Sequence, residues 1–241
     1  MESEEFFLSY LKWAAKYDGK TAIFRGVSCE GQMRPGIARS FENTKWSENQ
    51  KVDFSEYEMT LFESFKRQAV LHIGSAPKDD WEWLSVAQHY GLPTRLLDWT
   101  KSPLVALYFS VSRADDDSDS FVYGHEFGPL REGGRNMISP KPYPSNSPLE
   151  YKGGFNRFIP PVVDKRIAAQ SGLFTINKDP LMSLESEIKD KPFPVKGTLK
   201  RSLRMRLHRL GTNQAVLFPD VAGLSESLKW AWESFRYTSR G

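Results

Sequence analysis

The sequence contains only one cysteine, Cys29, among its 241 residues. A single cysteine excludes an internal disulfide bond and a zinc site built from cysteines. The sequence also lacks an apolar run of about 20 residues, which a membrane-spanning helix needs. It lacks the charged and apolar segments that are typical of a signal peptide. These absences predict a soluble cytoplasmic protein with no membrane partner.

The sequence also has little excess of either charge. Its 33 basic residues are nearly balanced by 30 acidic ones, so the formal net charge is only +3. The overall charge therefore does not favour a nucleic-acid or membrane partner. A chain of this length suffices for one domain with a sizeable core. We predict a single domain over residues 1–241, with an N-terminal helix over 4–17 and an irregular, glycine- and proline-rich insertion at about 124–161.

Hydrophobic periodicity changes between the helical and the strand type along the chain. It predicts an α+β fold with a central mixed or antiparallel sheet and packed helices. A helix over 54–72 is predicted to be capped by Ser55, and residues 27–52, which lack a clear period, are predicted to form a loop. Further helices are predicted around 81–87, from Pro103, over 196–209 and over 224–235. Strands are predicted at 21–24, 96–97, 121–123 and 216–218, and residues 170–176 are predicted to form a turn that leads into a strand.

Residues 88–111 combine polar side chains with the edge of an apolar core. Ser102 followed by Pro103 is typical of a helix start, where the missing N–H of proline costs nothing. Free backbone N–H groups at a helix start bind anions. The polar side chains nearby in sequence are His89, Arg95 and Thr100. The stretch therefore predicts an anion-binding site.

The same stretch also has a purely structural interpretation. Arg95 and Asp98 would then form an ion pair, Thr100 and Ser102 would only cap a helix, and His89 would be a hydrogen-bonded polar residue without further function. The segment by itself leaves both interpretations open.

A second candidate residue, Arg25, follows the apolar strand 21–24 and precedes Gly26. A guanidinium group at a strand end carries a permanent charge, and the glycine beside it permits close approach of a ligand or another backbone. The alternative is a buried ion pair between Arg25 and Asp98 or a glutamate, because buried arginines are usually paired.

One basic patch is prominent in the sequence, in the predicted helix 196–209. Leucines at 199, 203, 207 and 210 form one face, and basic residues occupy other positions: Lys200, Arg201, Arg204, Arg206 and Arg209. This pattern is more typical of a solvated amphipathic helix than of a nucleic-acid surface. We therefore predict that Arg201, Arg204 and Arg206 are largely exposed.

Four motifs carry a resemblance to a known family: FRG at 24–26, AQHYGLPTRLLDWTKSPLVALYFS at 87–110, RIAAQSGLFTI at 166–176 and AVLFPDVAGL at 215–224. Together they resemble the FRG domain family from about Thr21 to Leu228. A second resemblance is more distant. The motifs Arg-Gly, Thr-x-Ser and Gln-x-Gly-x-Phe follow one another in the same order as the Arg, Ser and Glu motifs of ADP-ribosyltransferase folds, to which they are similar.

This second resemblance implies an NAD-dependent ADP-ribosyltransferase or NAD glycohydrolase. Such a protein uses NAD as a substrate and, as a toxin or phage-defence effector, modifies a protein or nucleic acid. The implied catalytic residues are Arg25, Thr100, Gln170 and His89, and the implied NAD-binding residues are Arg25, Gly26, Arg95, Asp98 and Ser102.

Gln170 departs from the pattern of those enzymes, which have a carboxylate at the corresponding position. Its neutral amide cannot act as a general base, so His89 or Asp98 would have to supply the acid-base group. The departure leaves a second function open, a non-catalytic module that binds a nucleotide, a related phosphate ligand or nucleic acid. The shared-site hypothesis requires Arg25, Thr100, Ser102 and Gln170 to converge on one cleft, although up to 145 positions separate them.

Overall fold

The structure is a computed structural model that describes residues 2–19, 21–28, 33–46, 52–113, 117–128, 137–138, 147–160 and 165–236. The helices in these ranges are α1 Glu2–Ala14, α2 Gly36–Asn43, α3 Phe54–Ala69, α4 Asp80–His89, α5 Pro103–Ser110, α6 Lys165–Ala169, α7 Lys200–Arg209, α8 Gln214–Leu217 and α9 Val221–Arg236. The strands are β1 Ala22–Val27, β2 Leu97–Thr100, β3 Ser120–Glu126, β4 Met137–Ile138, β5 Asn156–Phe158, β6 Gly172–Ile176 and β7 Phe193–Val195. Short 3₁₀ turns occupy Pro148–Glu150, Leu184–Glu187 and Gly197–Leu199.

The strands form one sheet in the order β4-β5-β6-β2-β1-β3-β7. Neighbouring strands run antiparallel except β4 and β5, which are parallel. The predicted α+β class is therefore confirmed, and the sheet is mixed but mainly antiparallel. Within the described part of the chain, β1 and β2 pair at a single position, Phe24 opposite Thr100, whereas β1 pairs with β3 along its whole length.

Successive side chains of a strand point to opposite faces of the sheet. Apolar residues of β1 lie on both faces, and helices and loops cover both. Phe24 packs on one face in the same core cluster as α1, α5 and α7. Ile23 and Val27 pack on the other face with Met33 and Trp99. A separate cluster joins α3 and α4 to β5 and β6. The described core thus reaches from β7 across the sheet to β5.

The start of α5 follows the predicted pattern. The Ser102 side chain accepts a hydrogen bond from the Val105 N–H at 3.4 Å, and Pro103 is the first helical residue. The leucine stripe of α7 is confirmed for Leu199, Leu203 and Leu207, which are buried, but not for Leu210, which is exposed. Gly211 has a φ of 83° just after α7, which is the left-handed conformation that commonly ends a helix.

Two regions differ from the prediction. Residues 27–52 were predicted to form a loop, but 36–43 form α2, which buries only Ile37 and Ala38. Two buried positions are too few to produce a visible helical period. Residues 216–218 were predicted to form a strand, but Val216 and Leu217 belong to α8, whose N-cap Asn213 accepts a hydrogen bond from the Val216 N–H at 3.2 Å.

Several predicted boundaries also shift. α1 ends at Ala14, three residues before the predicted end, and Asp53 rather than Ser55 caps α3 by accepting a hydrogen bond from the Ser55 N–H at 2.9 Å. The predicted insertion at 124–161 contains the end of β3, all of β4 and β5, and a 3₁₀ turn. Its residues 129–136 and 139–146 lie outside the described residues.

Gly26 lies inside β1 and is required by helix packing. A Cβ atom there would lie 1.8 Å from the carbonyl oxygen of Ala106 and 2.7 Å from the backbone nitrogen of Ser110, both in α5. The sequence left open whether a ligand or another backbone approaches Gly26 closely, and the structure shows the backbone of α5 there. The same contact keeps α5 directly against β1.

Candidate functional site

A cleft of about 430 Å³ opens beside the single pairing position of β1 and β2. Its walls come from both strands, from α2 and α5, and from the ends of α6 and α8. The lining residues are Phe24, Arg25, Gly26, Ser28, Arg39, Asp98, Trp99, Thr100, Phe109, Ser112, Arg113, Gln170 and Phe218. The predicted residues Arg25, Gly26, Asp98, Thr100 and Gln170 are thus brought together.

Arg25 lies in the middle of β1, not at its end as predicted, and its side chain is partly exposed. The guanidinium Nη1 donates a hydrogen bond to the backbone carbonyl of Asp98 at 2.6 Å. Burial lowers the pKa of Arg25 to about 10, although the charge of the nearby Asp98 carboxylate raises it. Arg25 is therefore still charged at neutral pH, and it is anchored to the strand opposite.

Asp98 is accessible from the cleft, and its carboxylate is held by a short chain of hydrogen bonds. Its Oδ2 accepts from Gln88 Nε2 at 2.7 Å, and Gln88 Oε1 accepts from the Thr94 hydroxyl at 2.6 Å. The Thr94 hydroxyl oxygen in turn accepts from the Leu96 N–H at 3.0 Å. The Thr94 hydroxyl donates to the amide oxygen of Gln88, so the NH₂ group of Gln88 is directed toward Asp98.

The protein around Asp98 changes its protonation. Burial raises the pKa of the Asp98 carboxyl, while the positive charge of Arg25 and the hydrogen bond from Gln88 lower it. Arg39 adds a smaller lowering effect. A carboxylate that is both reachable from a cleft and easier to protonate than usual is a candidate proton acceptor.

Thr100 and Gln170 join β2 to the turn before β6. The Thr100 hydroxyl donates to the backbone carbonyl of Gln170 at 2.6 Å and accepts from the Ser102 N–H at 3.0 Å. The Gln170 side chain donates from Nε2 to the Leu217 carbonyl at 3.0 Å. Both side chains therefore shape the cleft wall, and the Thr100 proton is already used within the protein. Ser102 caps α5 and does not line the cleft.

Arg95, predicted to bind the cofactor, lies outside the cleft and forms a different ion pair from the one considered in the sequence. Its Nε donates to Glu58 Oε1 at 2.8 Å, its Nη2 donates to the other Glu58 oxygen, and its Nη1 donates to the Pro148 carbonyl at 3.1 Å. Arg95 and Glu58 are each only 5% exposed. The prediction of an Arg95–Asp98 pair is therefore wrong, and Arg95 tethers α3 to the residues before β2.

His89 also lies outside the cleft. It ends α4, and its ring packs edge-on against Tyr90 with 4.9 Å between centroids. Its neighbour Gln88 reaches Asp98 instead. The helical phase would have indicated this, because Gln88 follows the buried Leu84 by four positions and therefore shares its face.

Sequence reasoning missed two further cleft residues, Arg39 and Arg113, which are both exposed. Arg39 lies in α2, a segment that was predicted to be a loop. Without a predicted helix, the sequence could not indicate which way the Arg39 side chain points. Arg113 follows α5 without any periodic pattern. With Arg25, they make three guanidinium groups against one carboxylate, that of Asp98, among the described residues that line the cleft.

A larger cleft of about 710 Å³ lies elsewhere, between the end of α1 and the end of β3. Its charged lining residues are Lys16, Lys189, Lys191, Glu126, Glu187 and Asp190. Three positive and three negative charges give no surplus that would select a phosphate. The smaller cleft is therefore the better candidate for an anionic ligand, despite its size.

Comparison with known protein families finds a match for part of the chain. Residues 20–119 match the model of the FRG domain family. The match includes Arg25, Gln88, Asp98 and Thr100 and ends well before Gln170. No curated protein and no solved structure matches the chain. In the parts of the chain that the structure describes, no helix is both long and apolar enough to cross a membrane.

Proposed function

We propose that the cleft beside the FRG domain's β1 and β2 binds NAD, and that the protein is an ADP-ribosyltransferase-like enzyme that breaks its nicotinamide–ribose bond. The observation that carries this proposal is the meeting of Arg25, Arg39 and Arg113 with Asp98 in one cleft. Three cations suit a pyrophosphate, and an accessible carboxylate suits proton transfer. The cleft volume of about 430 Å³ falls within the range of small-molecule sites.

The arginines supply the phosphate contacts in this proposal. A guanidinium group offers a planar pair of donors that matches two phosphate oxygens. Arg25 is fixed by the Asp98 carbonyl, whereas Arg39 and Arg113 are exposed at the cleft and can move to meet a ligand. The half-buried rings of Phe109 and Phe218, 6.2 Å apart between centroids, offer an apolar wall for a base.

Asp98 supplies the proton acceptor that Gln170 cannot supply. As the ribose C1′–nicotinamide bond breaks, the electron pair leaves with nicotinamide and an oxocarbenium-like ribosyl centre forms. The oxygen of a water or acceptor hydroxyl then bonds to C1′, and its proton passes to the Asp98 carboxylate. Gln88 holds that carboxylate in place, and a negative charge beside the ribosyl centre stabilises it. The acceptor in a transfer reaction is a protein or a nucleic acid.

A second candidate function is binding without catalysis. It is favoured by Gln170, whose amide is neutral and donates to the Leu217 carbonyl. Nucleic-acid binding through α7 has less support. Arg201 is exposed, but Arg204 and Arg206 are half-buried and lie over the rings of Trp230 and Phe7. The prediction that these three arginines are largely exposed is therefore wrong for two of them.

Incubation of the protein with NAD, followed by chromatography for free nicotinamide, tests the proposal. We expect nicotinamide release by the wild type and a loss of about 10²–10⁴-fold in Asp98→Asn, because the amide cannot accept the proton. Asp190→Asn is the matched control, since this carboxylate lies in the larger cleft.

Calorimetric titration with NAD separates the outcomes. If the wild type and Asp98→Asn both bind NAD but the wild type releases no nicotinamide, the non-catalytic function is correct. If the wild type does not bind NAD, the proposal is wrong. Equal release by the wild type and Asp98→Asn would remove Asp98 from the reaction.

A further inference from the structure

The larger cleft lies at the place where β7 stops pairing with β3. β3 lies between β1 and β7 in the sheet, and it pairs with β1 along residues 121–126 but with β7 only along residues 120–122. The next β7 residue in that register would be Pro192, which has no N–H group to donate to a neighbouring strand. Residues 189–191 then line the cleft together with residues 124–128. The end of β3 therefore borders the cleft with a strand edge.

Residues 124–126, which we call the β3 edge, carry backbone groups that point to the cleft side. Successive residues of an antiparallel strand direct their N–H and C=O groups alternately to the two neighbouring strands. One set of groups on the β3 edge points to β1, and the other set points to the side that β7 has left. Between described residues, no backbone hydrogen bond joins the β3 edge to residues 187–192. Such an edge is a template for an additional strand.

The Tyr17 side chain connects the two walls of the cleft. Its ring lies against the backbone of Gly124, where a Cβ atom would be only 2.6 Å from the ring. Its hydroxyl donates a hydrogen bond to the Asp190 carboxylate at 3.0 Å. A side-chain contact thus joins β3 to residue 190 in place of a backbone ladder, and it leaves a cleft of about 710 Å³ between them.

Aromatic rings line the cleft on both faces of the sheet. Trp13 and Tyr17 lie on the face to which Phe24 points, and both rings contact the Phe24 ring. His125 points to the opposite face, where its ring centroid lies 5.1 Å from that of Phe155. The side chains of an added strand would point alternately to these two groups of rings. Consecutive apolar or aromatic side chains therefore suit the cleft, because both faces of the added strand would meet rings.

We propose that the larger cleft binds an extended segment of a partner protein, which adds a strand beside the β3 edge and carries consecutive apolar residues. The β3 edge supplies main-chain hydrogen bonds, and the rings on the two faces select the side chains. The described lining residues carry three positive and three negative charges. This balance suits a segment of little net charge, whereas the phosphates of a nucleic acid require an excess of lysine and arginine.

A peptide probe tests the proposal. The probe is selected by panning a phage-displayed library of random peptides of about 12 residues against the whole protein, and is then synthesised with a fluorescent label. We expect the selected peptides to share consecutive apolar residues. Their affinity, measured by fluorescence anisotropy, should fall at least about 10-fold in His125→Ala, because a ring that contacts the peptide is lost.

His72→Ala is the matched control, since His72 is an exposed histidine that does not line the larger cleft. Its affinity for the peptide should equal that of the wild type. Circular dichroism and melting of each variant show whether it is folded.

Hydrogen exchange measured by NMR tests whether the peptide binds as a strand, and it uses the wild-type protein. When the protein is saturated with the peptide, the amides of the β3 edge that point to the cleft should exchange at least about 10-fold more slowly, because they then donate to the peptide. The amides of α3 should not change.

Failure to select a peptide, equal affinity of the wild type and His125→Ala, or unchanged exchange at the β3 edge would each overturn the proposal. A single-stranded oligothymidylate that displaces the peptide, with an affinity that falls steeply with salt, would overturn it in favour of a nucleic acid. Nicotinamide release is measured without the peptide, so this proposal and the proposed reaction with NAD can each fail alone.

Discussion

An arginine lies beside a carboxylate in two regions of the molecule. One region is the contact between α3 and the residues before β2, and the other is the cleft between β1 and β2. In the first, Arg95 and Glu58 are both buried, and the guanidinium donates to Glu58 and to a backbone carbonyl. In the second, Arg25 donates to the backbone of Asp98, while the Asp98 carboxylate is accessible and accepts from the neutral Gln88. The first arrangement uses its charges within the protein, whereas the second leaves charges within reach of a ligand.

This difference teaches what an arginine-carboxylate pair contributes in each place. A buried pair is costly to break, because the remaining charge loses its partner without regaining water. Arg25 is more exposed than Arg95 and donates to a backbone carbonyl, so a change of its side chain should affect stability less than a break in the buried pair. Substitutions in the two places should therefore separate the free energy of unfolding from the affinity for a ligand.

The largest effect is expected at the buried pair. Glu58→Gln should lower the free energy of unfolding by about 3–5 kcal/mol, because it leaves the Arg95 charge buried without a counter-charge. Urea denaturation measures this change. Glu63→Gln is the control, because its pair with Lys66 is solvent-exposed and should contribute less than about 1 kcal/mol. A similarly small loss for Glu58→Gln would mean that the two regions do not differ in this way.

A smaller effect on stability, with a clear effect on binding, is expected in the cleft. Arg25→Lys keeps the charge but loses the planar pair of donors, so we expect NAD affinity to fall by about 1–3 kcal/mol. The free energy of unfolding should change by less than about 1 kcal/mol. Calorimetric titration and urea denaturation measure the two quantities, and Arg67→Lys on the exposed face of α3 is the control. Unchanged NAD affinity would exclude Arg25 as a phosphate-binding residue.

The smallest effect is expected from the residue that positions Asp98. The hydrogen bond from Gln88 stabilises the ionised carboxylate and lowers the pKa of Asp98, so Gln88→Met should raise that pKa. Since Asp98 must be ionised to accept a proton, the acidic limb of nicotinamide release should move to higher pH. Arg25, Arg39 and a backbone hydrogen bond also lower the pKa of Asp98, and these groups remain unchanged in this variant.

The rate of nicotinamide release as a function of pH measures the shift, and Gln68→Met on α3 is the control with an unchanged profile. A Gln88→Met enzyme with the wild-type pH profile and a lower rate at all pH values would mean that Gln88 does not tune Asp98.

The features that sequence reasoning located are those with a local cause. Ser102 and Pro103 mark a helix start whatever surrounds them, and Leu203 and Leu207 repeat at the helical period. The partners of charged residues have no such local cause. Glu58 lies 37 positions before Arg95, and no pattern near either residue shows that they meet. Choosing Asp98 as the partner of Arg95 followed from closeness in sequence alone.

The same reasoning explains the mixed result for the cleft. Arg25, Asp98, Thr100 and Gln170 were identified because they lie at the edges of apolar segments, and the structure brings them together. His89 was preferred over Gln88 because of its chemistry, although the helical phase favours the glutamine. α9 shows a further limit, because the sequence predicts a helix there but does not show that Val221, Leu224 and Leu228 are exposed.

The residues that line the cleft are synthesised far apart in time. The walls of the cleft come from residues as early as Phe24 and as late as Phe218, so the segment 20–119, which matches the FRG domain family, leaves the ribosome with Arg25 and Asp98 but without Gln170 and Phe218. At about 5–20 residues per second, the remaining hundred or so residues take roughly 5–20 s to emerge. A nascent chain therefore carries Arg25 and Asp98 before it has Gln170 and Phe218, and the site can be complete only after Phe218 has emerged.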